Sequence, residues 1–491
     1  MIRIAIRVDA SLTIGSGHVM RCLALANYLA AYKAECLFLC GDYAGNMNAY
    51  IQAQGFLVVE LPANTSNDAS VANKVIADHW GRADWLVVDH YQLASDWEST
   101  LRDSVDQIMV IDDLANRSHD CDVLLDQGRA SETAYADWVN DKTKLLIGPK
   151  YALLRPDFLE WRKSSYLKRQ SFPNSHGKQI RILISLGGSD IDNYTQRILN
   201  VLTECFPVEC FFLQIIVGSQ YQSVDLLKKH IAMSHHKVEM LSAVNNMAEL
   251  MTGVDLVIGA AGISSWERCS LGVPAITLCV AENQRENCQV LAANEAAFVM
   301  DGERAVSEVA YALREYLTEQ ERIKLMVNNA YNLSDGLGCH RVGQLLLHQK
   351  PLEFVEAKES HKELTYQWQI HPDTRRFSLN KKAPTVDEHN DWFEELLQDE
   401  NRRLFFVMVN DEKVGLFRLD FEGKKEALVS ILIAPEFYGQ GLATQVLTFV
   451  KSWWASVTIN ATVLPENIAS YKAFKNAGFL EVDGGFVSKA L

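Results

Sequence analysis

Two short stretches carry residue types and spacings suited to chemistry. The first, Ile-Gly-Ser-Gly-His-Val-Met-Arg-Cys at 14–22, sets two glycines and a histidine directly after a strand-like run. Gly-x-Gly in that place can open a dinucleotide fingerprint, but Met20 stands where the third glycine belongs and no coupled acidic position follows. What remains is a glycine turn, including Gly17, that presents His18 at the first turn of a helix. Helix N-termini disfavour an imidazolium, so His18 there is a candidate general base. The bland alternative is a capping or packed ring. The second stretch, "ILIAPEFYGQGLATQVLTFVKSWW" at 431–454, ends a strand at Pro435 and starts an amphipathic helix. Backbone amides of Tyr438, Gly439, Gln440, Gly441, Leu442 and Ala443 can turn inward around an anion, with the helix N-terminus behind them. Gly439 and Gly441 let the chain approach a diphosphate closely.

These stretches need a scaffold, and the chain is long enough for about three domains at 491 residues. Up to about residue 348, apolar strands such as "RIAIRVD" (3–9), "WLVVDHY" (85–91), "IRILISLGG" (180–188) and "LVIGAAG" (256–262) alternate with helical stretches. That alternation predicts α/β architecture with parallel sheets. A polar break at 168–179 separates two Rossmann-like halves, 1–168 and 169–350. A second polar and charged stretch reads as a linker, 351–362, before a smaller α+β domain at 363–491 with strands at 404–410, 413–421 and 427–434. A net charge of −15 argues against nucleic acid as a general partner. No apolar run approaches the roughly 18 residues of a membrane helix, and no leader pattern precedes the first strand, so the expectation is a cytoplasmic protein without membrane attachment. None of the ten cysteines has zinc-site spacing, and reduced, mostly buried thiols are expected.

The loop at 438–443, followed by "ATVLPENIASYKAFKNAGF" (461–479), resembles the GCN5-related N-acetyltransferases, whose loop cradles the acetyl-CoA pyrophosphate. The resemblance implies acetyl-CoA as co-substrate and a pantetheine arm along the edge of Ile431–Ala434, with Leu432 and Ile433. It also matches Asn467 to the asparagine that opens the second motif. Tyr438 departs from the family's first loop position. Phe474 stands where many members carry a tyrosine acid, which implies water-assisted protonation or unaided thiolate departure; Tyr471, one turn earlier, is the alternative acid. Trp368, Trp392 and Phe393 could wall a sugar or belong to the core, and His389 could relay a proton or be packed.

"GVDLVIGAAGISSWERCSLGVPAITL" (253–278) resembles the nucleotide-binding segment of GT-B glycosyltransferases. That resemblance assigns Gly262, Ser264 and Ser265 to a diphosphate and Glu267 to the ribose. Gly187 and Gly188 in "SLGGSD" offer another amide-rich turn, and Asn283 and Gln284 in "ENQREN" are available to the sugar. With "RVDASLTIGSGHVMRCLALA", "IDDLANRSHDCDVLLDQG", "GPKYALLRPDF" and "DGLGCHRV", residues 1–348 resemble the UDP-sugar hydrolases of pseudaminic acid biosynthesis, which are MurG-like in fold. The C-terminal domain resembles the N-acetyltransferases of the preceding step, so the chain reads as a fusion of the two activities.

That likeness implies 4-N-acetylation of UDP-4-amino-4,6-dideoxy-N-acetyl-β-L-altrosamine. Inverting hydrolysis of UDP-2,4-diacetamido-2,4,6-trideoxy-β-L-altropyranose would follow, with His18 as base and no metal. Asp9, Asp89 and Tyr91 become sugar or supporting contacts; Asp112 and Asp113 are expected to be structural. The rivals are a GT-B glycosyltransferase fused to an acetyltransferase, and a nucleotide-sugar sensor controlling the acetyltransferase.

Overall fold

Runs such as Ile4-Ala5-Ile6 and Leu86-Val87-Val88 show no apolar–polar alternation, and strands of that kind belong in sheets covered on both faces. The computed structural model describes the chain except residues 63–67, 171–178, 189, 219–220, 243, 303–304, 349–350 and 491. Most of the expected polar break at 168–179 therefore lies outside the described residues. Two compact units are present, Met1–Leu347 and His348–Leu491.

The first unit holds two parallel sheets. One contains β1 (Arg3–Val8), β2 (Glu35–Gly41), β3 (Leu57–Leu61), β4 (Ala83–Asp89), β5 (Val105–Ile111), β6 (Val123–Asp126) and β7 (Lys144–Ile147), in the order β3-β2-β1-β4-β5-β6-β7. The other contains β8 (Ile180–Ser185), β9 (Phe211–Val217), β10 (Lys237–Ser242), β11 (Leu256–Ala260), β12 (Ala275–Leu278) and β13 (Phe298–Met300), in the order β10-β9-β8-β11-β12-β13. Each order reverses once, between β1 and β4 and between β8 and β11. Parallel α/β sheets bind ligands outside the carboxyl ends of their strands at that reversal. His18 follows β1, Tyr91 follows β4, Gly187 follows β8 and Gly262 follows β11.

The expected boundary at 168/169 does not follow the packing. Helix Pro156–Gln170 lies against the second sheet's helices: Arg162 donates to the carbonyls of Ser270, Ser334 and Tyr331, and Arg169 to those of Met251 and Val254. Helix Gly338–Leu346 crosses back to the His18-bearing helix Gly17–Ala31. There Tyr28 Oη and His340 Nδ1 are 2.9 Å apart. Gly343 is required at that crossing, since a Cβ would fall 2.3 Å from the Tyr28 ring.

The second unit has one mixed sheet: β14 (Glu353–Glu356), β15 (Arg402–Val409), β16 (Glu412–Glu422), β17 (Glu426–Ile433), β18 (Thr458–Thr462), β19 (Leu480–Val482) and β20 (Gly485–Ser488), ordered β14-β15-β16-β17-β18-β20-β19. The expected linker at 351–362 is not a linker. Its charged residues Glu353 and Glu356 flank Phe354, which is 2% exposed, and the segment pairs antiparallel with β15 as an edge strand. Residues 359–362 then lead directly into helix Lys362–Ile370.

A cut between 347 and 348 should therefore yield two soluble pieces. Starting the second piece at 358 should lower its unfolding free energy by about 3–5 kcal/mol, the usual cost of losing a buried Phe side chain. Urea titration of 348–491 against 358–491 measures the difference; equal midpoints would show that β14 contributes nothing. The ten cysteines are free thiols, most of them buried. Among the described residues no helix is long and apolar enough to cross a membrane, and no group of His, Cys, Asp and Glu could hold a metal ion.

Candidate active sites

In the first unit the loop before His18 is tight. Ser11 Oγ accepts the amides of Thr13 and Ile14, Ser11 bridges to Gly15, and Gly15 adopts φ +80°, which favours glycine. His18 then opens its helix with a buried side chain. Its Nδ1 lies 2.5 Å from Asp89 Oδ1, at the end of β4. Arg21, one turn along the same helix, clamps Asp89 through Nε and Nη2, both at 2.7 Å. Burial alone would raise the Asp89 carboxyl, but Arg21 and His18 hold it well below the carboxylate range. With Asp89 accepting at Nδ1, neutral imidazole carries its lone pair on Nε2.

Tyr91 packs edge-on against His18 with ring centroids 4.6 Å apart. Its hydroxyl donates to Asp113 (3.3 Å) and accepts from Asn283 of the second sheet's half (2.8 Å). Asp113, expected to be structural, thus belongs to this cluster. It lies 3.5 Å from Arg21, and burial raises its carboxyl despite Arg21 and His18. Asp112 is structural as expected, taking Tyr135, Arg117 and the amides of Leu114 and Ala115.

Of the two roles expected of Asp9, a sugar contact or a supporting one, its burial fits the second. Its carboxylate is 1% exposed and accepts from Arg7, the Gly41 amide (2.6 Å) and His90 Nε2 (3.0 Å). Burial opposes its charge, yet His90 and Arg7 hold it well below the usual range. It ties the end of β1 to Gly41 at the end of β2 and to His90 just after β4.

The turns of the two halves approach each other at Ser16 and Gly188. A Cβ on Gly188 would meet only Ser16 Oγ, at 3.8 Å, while Cβ atoms on Gly17, Gly187 and Gly262 would meet nothing within 4 Å. The helix after Gly187-Gly188 is not free to take an anion at its N-terminus, because Asp190 accepts the amides of Tyr194 and Thr195. Ser265 also departs from expectation. It is buried, and its oxygen accepts from Arg268, as does that of the half-buried Ser264. A hydroxyl whose oxygen is so engaged still has its proton to give, and Ser264 is the one near the surface. Glu267 is half-buried, and burial pushes its carboxyl up to about 7 against the opposing charge of Arg155. The side-chain carbonyl of Gln284, expected to be available to the sugar, accepts the amides of Ala261 and Val280.

In the second unit β17 pairs with β16 along its length, but with β18 only at Glu426, Ala427 and Leu428. Beyond Leu428 the two strands part and leave one backbone edge of Val429–Ile433 open. Of the two expected contacts, Ile433 lies on that edge, while the Leu432 carbonyl points the other way, at Gly415 of β16. Gly439 and Gly441 adopt φ +79° and +76°, and Cβ atoms on either would meet nothing within 4 Å. Gly441 is the N-cap of helix Leu442–Trp453, and among the described residues no side-chain cap bond is made there. Tyr438 and Gln440 are exposed, Leu442 is buried and Ala443 half-buried. An open amide cradle beside a free strand edge fits a pyrophosphate and its pantetheine arm.

Asn467 is a helix cap, its Oδ1 accepting the Ser470 amide. Phe474 is buried against Phe479 and Phe486. The Tyr471 hydroxyl donates to Glu481, which raises its pKa. Trp368 and Phe393 are core, and Trp392 is half-buried. His389 is 1% exposed with its nitrogens bonded to Gln369 Oε1 and the Lys362 carbonyl, so it is packed rather than a relay.

Residues 352–480 match the acetyltransferase (GNAT) domain family, and residues 182–336 match the glycosyltransferase family 28 C-terminal domain. The chain joins these two domains. Along nearly its whole length it is similar to an uncharacterized protein of Methanocaldococcus jannaschii, at 24% identity over 98% of each chain. It is also similar to the UDP-2,4-diacetamido-2,4,6-trideoxy-beta-L-altropyranose hydrolase of Campylobacter jejuni, at 25% identity over 59% of this chain and 96% of that one. Among solved structures, MurG of Acinetobacter baumannii shares the fold, with a TM-score of 0.53 and 16% identity over 71% of this chain and all of that one. The parallel-sheet unit is thus GT-B, MurG-like, and the GNAT domain follows it.

Proposed function

We propose that the chain is a bifunctional cytoplasmic enzyme that acetylates a UDP-linked 4-amino sugar and then hydrolyses the product. The acceptor is UDP-4-amino-4,6-dideoxy-N-acetyl-β-L-altrosamine, and the hydrolysed species is its diacetamido product. The observation that carries the reading is the His18–Asp89–Arg21 arrangement at the switch point of the first sheet, with Ser16, two residues before His18, beside the Gly188 turn of the second half.

In the hydrolase step, His18 Nε2 takes a proton from water as the water oxygen bonds to the anomeric carbon. The bond from that carbon to the UDP oxygen breaks on the opposite face, with inversion. Amides at Gly187, Gly188 and Gly262 and the Ser264 hydroxyl hold the departing diphosphate, and no metal is invoked. Tyr91 and Asn283 close over the sugar from the two halves, and Glu267 takes the ribose hydroxyls.

Acetyl-CoA, held by the Tyr438–Ala443 loop and the free edge of β17, supplies an acetyl thioester. The amine nitrogen bonds to the acetyl carbon, the carbon–sulfur bond breaks, and the amine proton passes to solvent. Phe474 has no proton to give and the Tyr471 hydroxyl donates to Glu481, so the thiolate is assigned to leave into solvent without a side-chain acid.

Running the reaction in ¹⁸O-labelled water tests the first step. Label should enter the free sugar, and UDP should carry none. Label in UDP would contradict carbon–oxygen cleavage, and UDP release without free sugar would favour a glycosyltransferase. Glu267 adds a pH test. Only its ionised form accepts two ribose hydroxyls, and burial sets that ionisation near 7. The KM for the UDP-sugar should therefore rise as pH falls below about 7. Glu267→Gln should flatten that dependence and raise KM at pH 8 by roughly 10–100-fold, the worth of a charged hydrogen bond. An unchanged KM profile would remove Glu267 from the ribose.

A further inference from the structure

The strands of the GNAT sheet bury their two faces differently. On one face Phe405, Phe417 and Val429 lie under Phe449 and Trp454, an aromatic layer beneath helix Leu442–Trp453. On the other, Leu404, Leu416 and Leu432 pack under Trp368 and Phe393 of the two preceding helices. Alternation puts Arg418, Asp420 and Ser430 on that second face, one and two rungs beyond Leu416. There the apolar cover stops, and all three residues are half-buried.

The register places this polar floor. Arg418 sits opposite Ser430, and Asp420 opposite Leu428. Leu428 is the last residue of β17 that pairs with β18, so the Arg418–Ser430 rung stands where the strands begin to part. Arg418 is held by Asp420, through Nε at 2.9 Å and Nη2 at 2.7 Å, which leaves Nη1 without a partner among the described residues. Its guanidinium carbon lies 5.6 Å from the centroid of the half-buried Trp392 ring. A planar cation beside an aromatic ring, above a half-buried polar patch, suits a sugar ring and its oxygens.

We infer that Arg418, Ser430 and Trp392 form the acceptor site of the acetyltransferase, and that its ligand is an amino sugar carrying anionic or acetamido oxygens rather than a polyamine. The inference rests on the function proposed above and supplies its acceptor side. Trp392 takes the apolar face of the sugar. Arg418 binds an oxygen through Nη1 while Asp420 fixes its fork. Both Arg418 bonds go to Asp420 Oδ2 and Arg402 Nε lies 3.9 Å from Oδ1, so the carboxylate is flanked by two cations and the floor offers no surplus negative charge to a polycation.

The test is steady-state acetylation by the full-length enzyme, with acetyl-CoA binding measured by calorimetry. Arg418→Ala and Trp392→Ala should each raise the KM for the UDP-4-amino sugar by about tenfold or more, as expected for one charged hydrogen bond or a lost stacking face. Acetyl-CoA affinity should stay within about twofold, and Arg418→Lys and Trp392→Phe should recover part of the loss. An unchanged acceptor KM in both alanine variants overturns the site, as does a parallel loss of acetyl-CoA affinity in both conservative variants. Wild-type enzyme that acetylates spermidine but no UDP-amino sugar overturns the proposed function itself, which separates the two failures.

Discussion

His18→Ala should lower UDP release from the diacetamido substrate by two to four decades, because a positioned general base contributes roughly 10²–10⁴-fold. The reason is local. Asp89 fixes Nδ1 and Arg21 fixes Asp89, so Nε2 is the nitrogen left for water. Alanine removes the base and leaves the Asp89–Arg21 pair intact, so folding should be little affected. Acetyl transfer should persist at the wild-type rate, since the GNAT cradle lies in the other unit. A coupled UDP assay beside an acetylation assay reads both. UDP release within a few-fold of wild type would take the role of base away from His18.

Gly441→Trp should have the opposite pattern. At φ +76° any side chain strains the backbone, by about 1–3 kcal/mol. The indole would also project into space that is empty now and that the pyrophosphate needs. Losing charged hydrogen bonds worth about 1.5–3 kcal/mol each, the variant should show acetylation reduced by roughly two decades at subsaturating acetyl-CoA. Hydrolysis of chemically supplied UDP-diacetamido sugar should be unchanged. Acetylation at wild-type efficiency would show that the loop does not hold the co-substrate.

The sequence made some of this legible because the chemistry was local. Glycines at 439 and 441 before an amphipathic helix announce a turn of fixed geometry, and the fold realises it. His18 was visible for the same reason. Its partners were not, because Asp89 arrives from 71 residues away. A fainter signal existed: His18 and Arg21 share one helix face, and Asp89 ends a strand.

Asp9 stayed open between a sugar and a supporting contact because its place at a strand end does not reveal its partners. Arg7, two residues earlier and so on the same face, captures it. Ser265 was misread because Arg268 lies one turn on and pulls the hydroxyl inward. The edge strand β14 was hidden by its glutamates: a strand with one apolar face and a solvent edge looks like a linker when only composition is weighed. Asp113 could not be separated from Asp112 without knowing which way each carboxylate turns after β5.

The order of the two reactions is the central claim, and UDP release from the 4-amino precursor tests it most directly. The purified full-length protein is given that UDP-sugar with and without acetyl-CoA, and UDP and sugar mass are followed together. A hydrolase pocket that receives a neutral acetamido group would have to bury an unpaired ammonium to take the precursor, which is costly. UDP should therefore appear only with acetyl-CoA, after a lag, with a diacetamido sugar as the product. Rapid UDP release without acetyl-CoA, giving a free 4-amino sugar, would contradict the account.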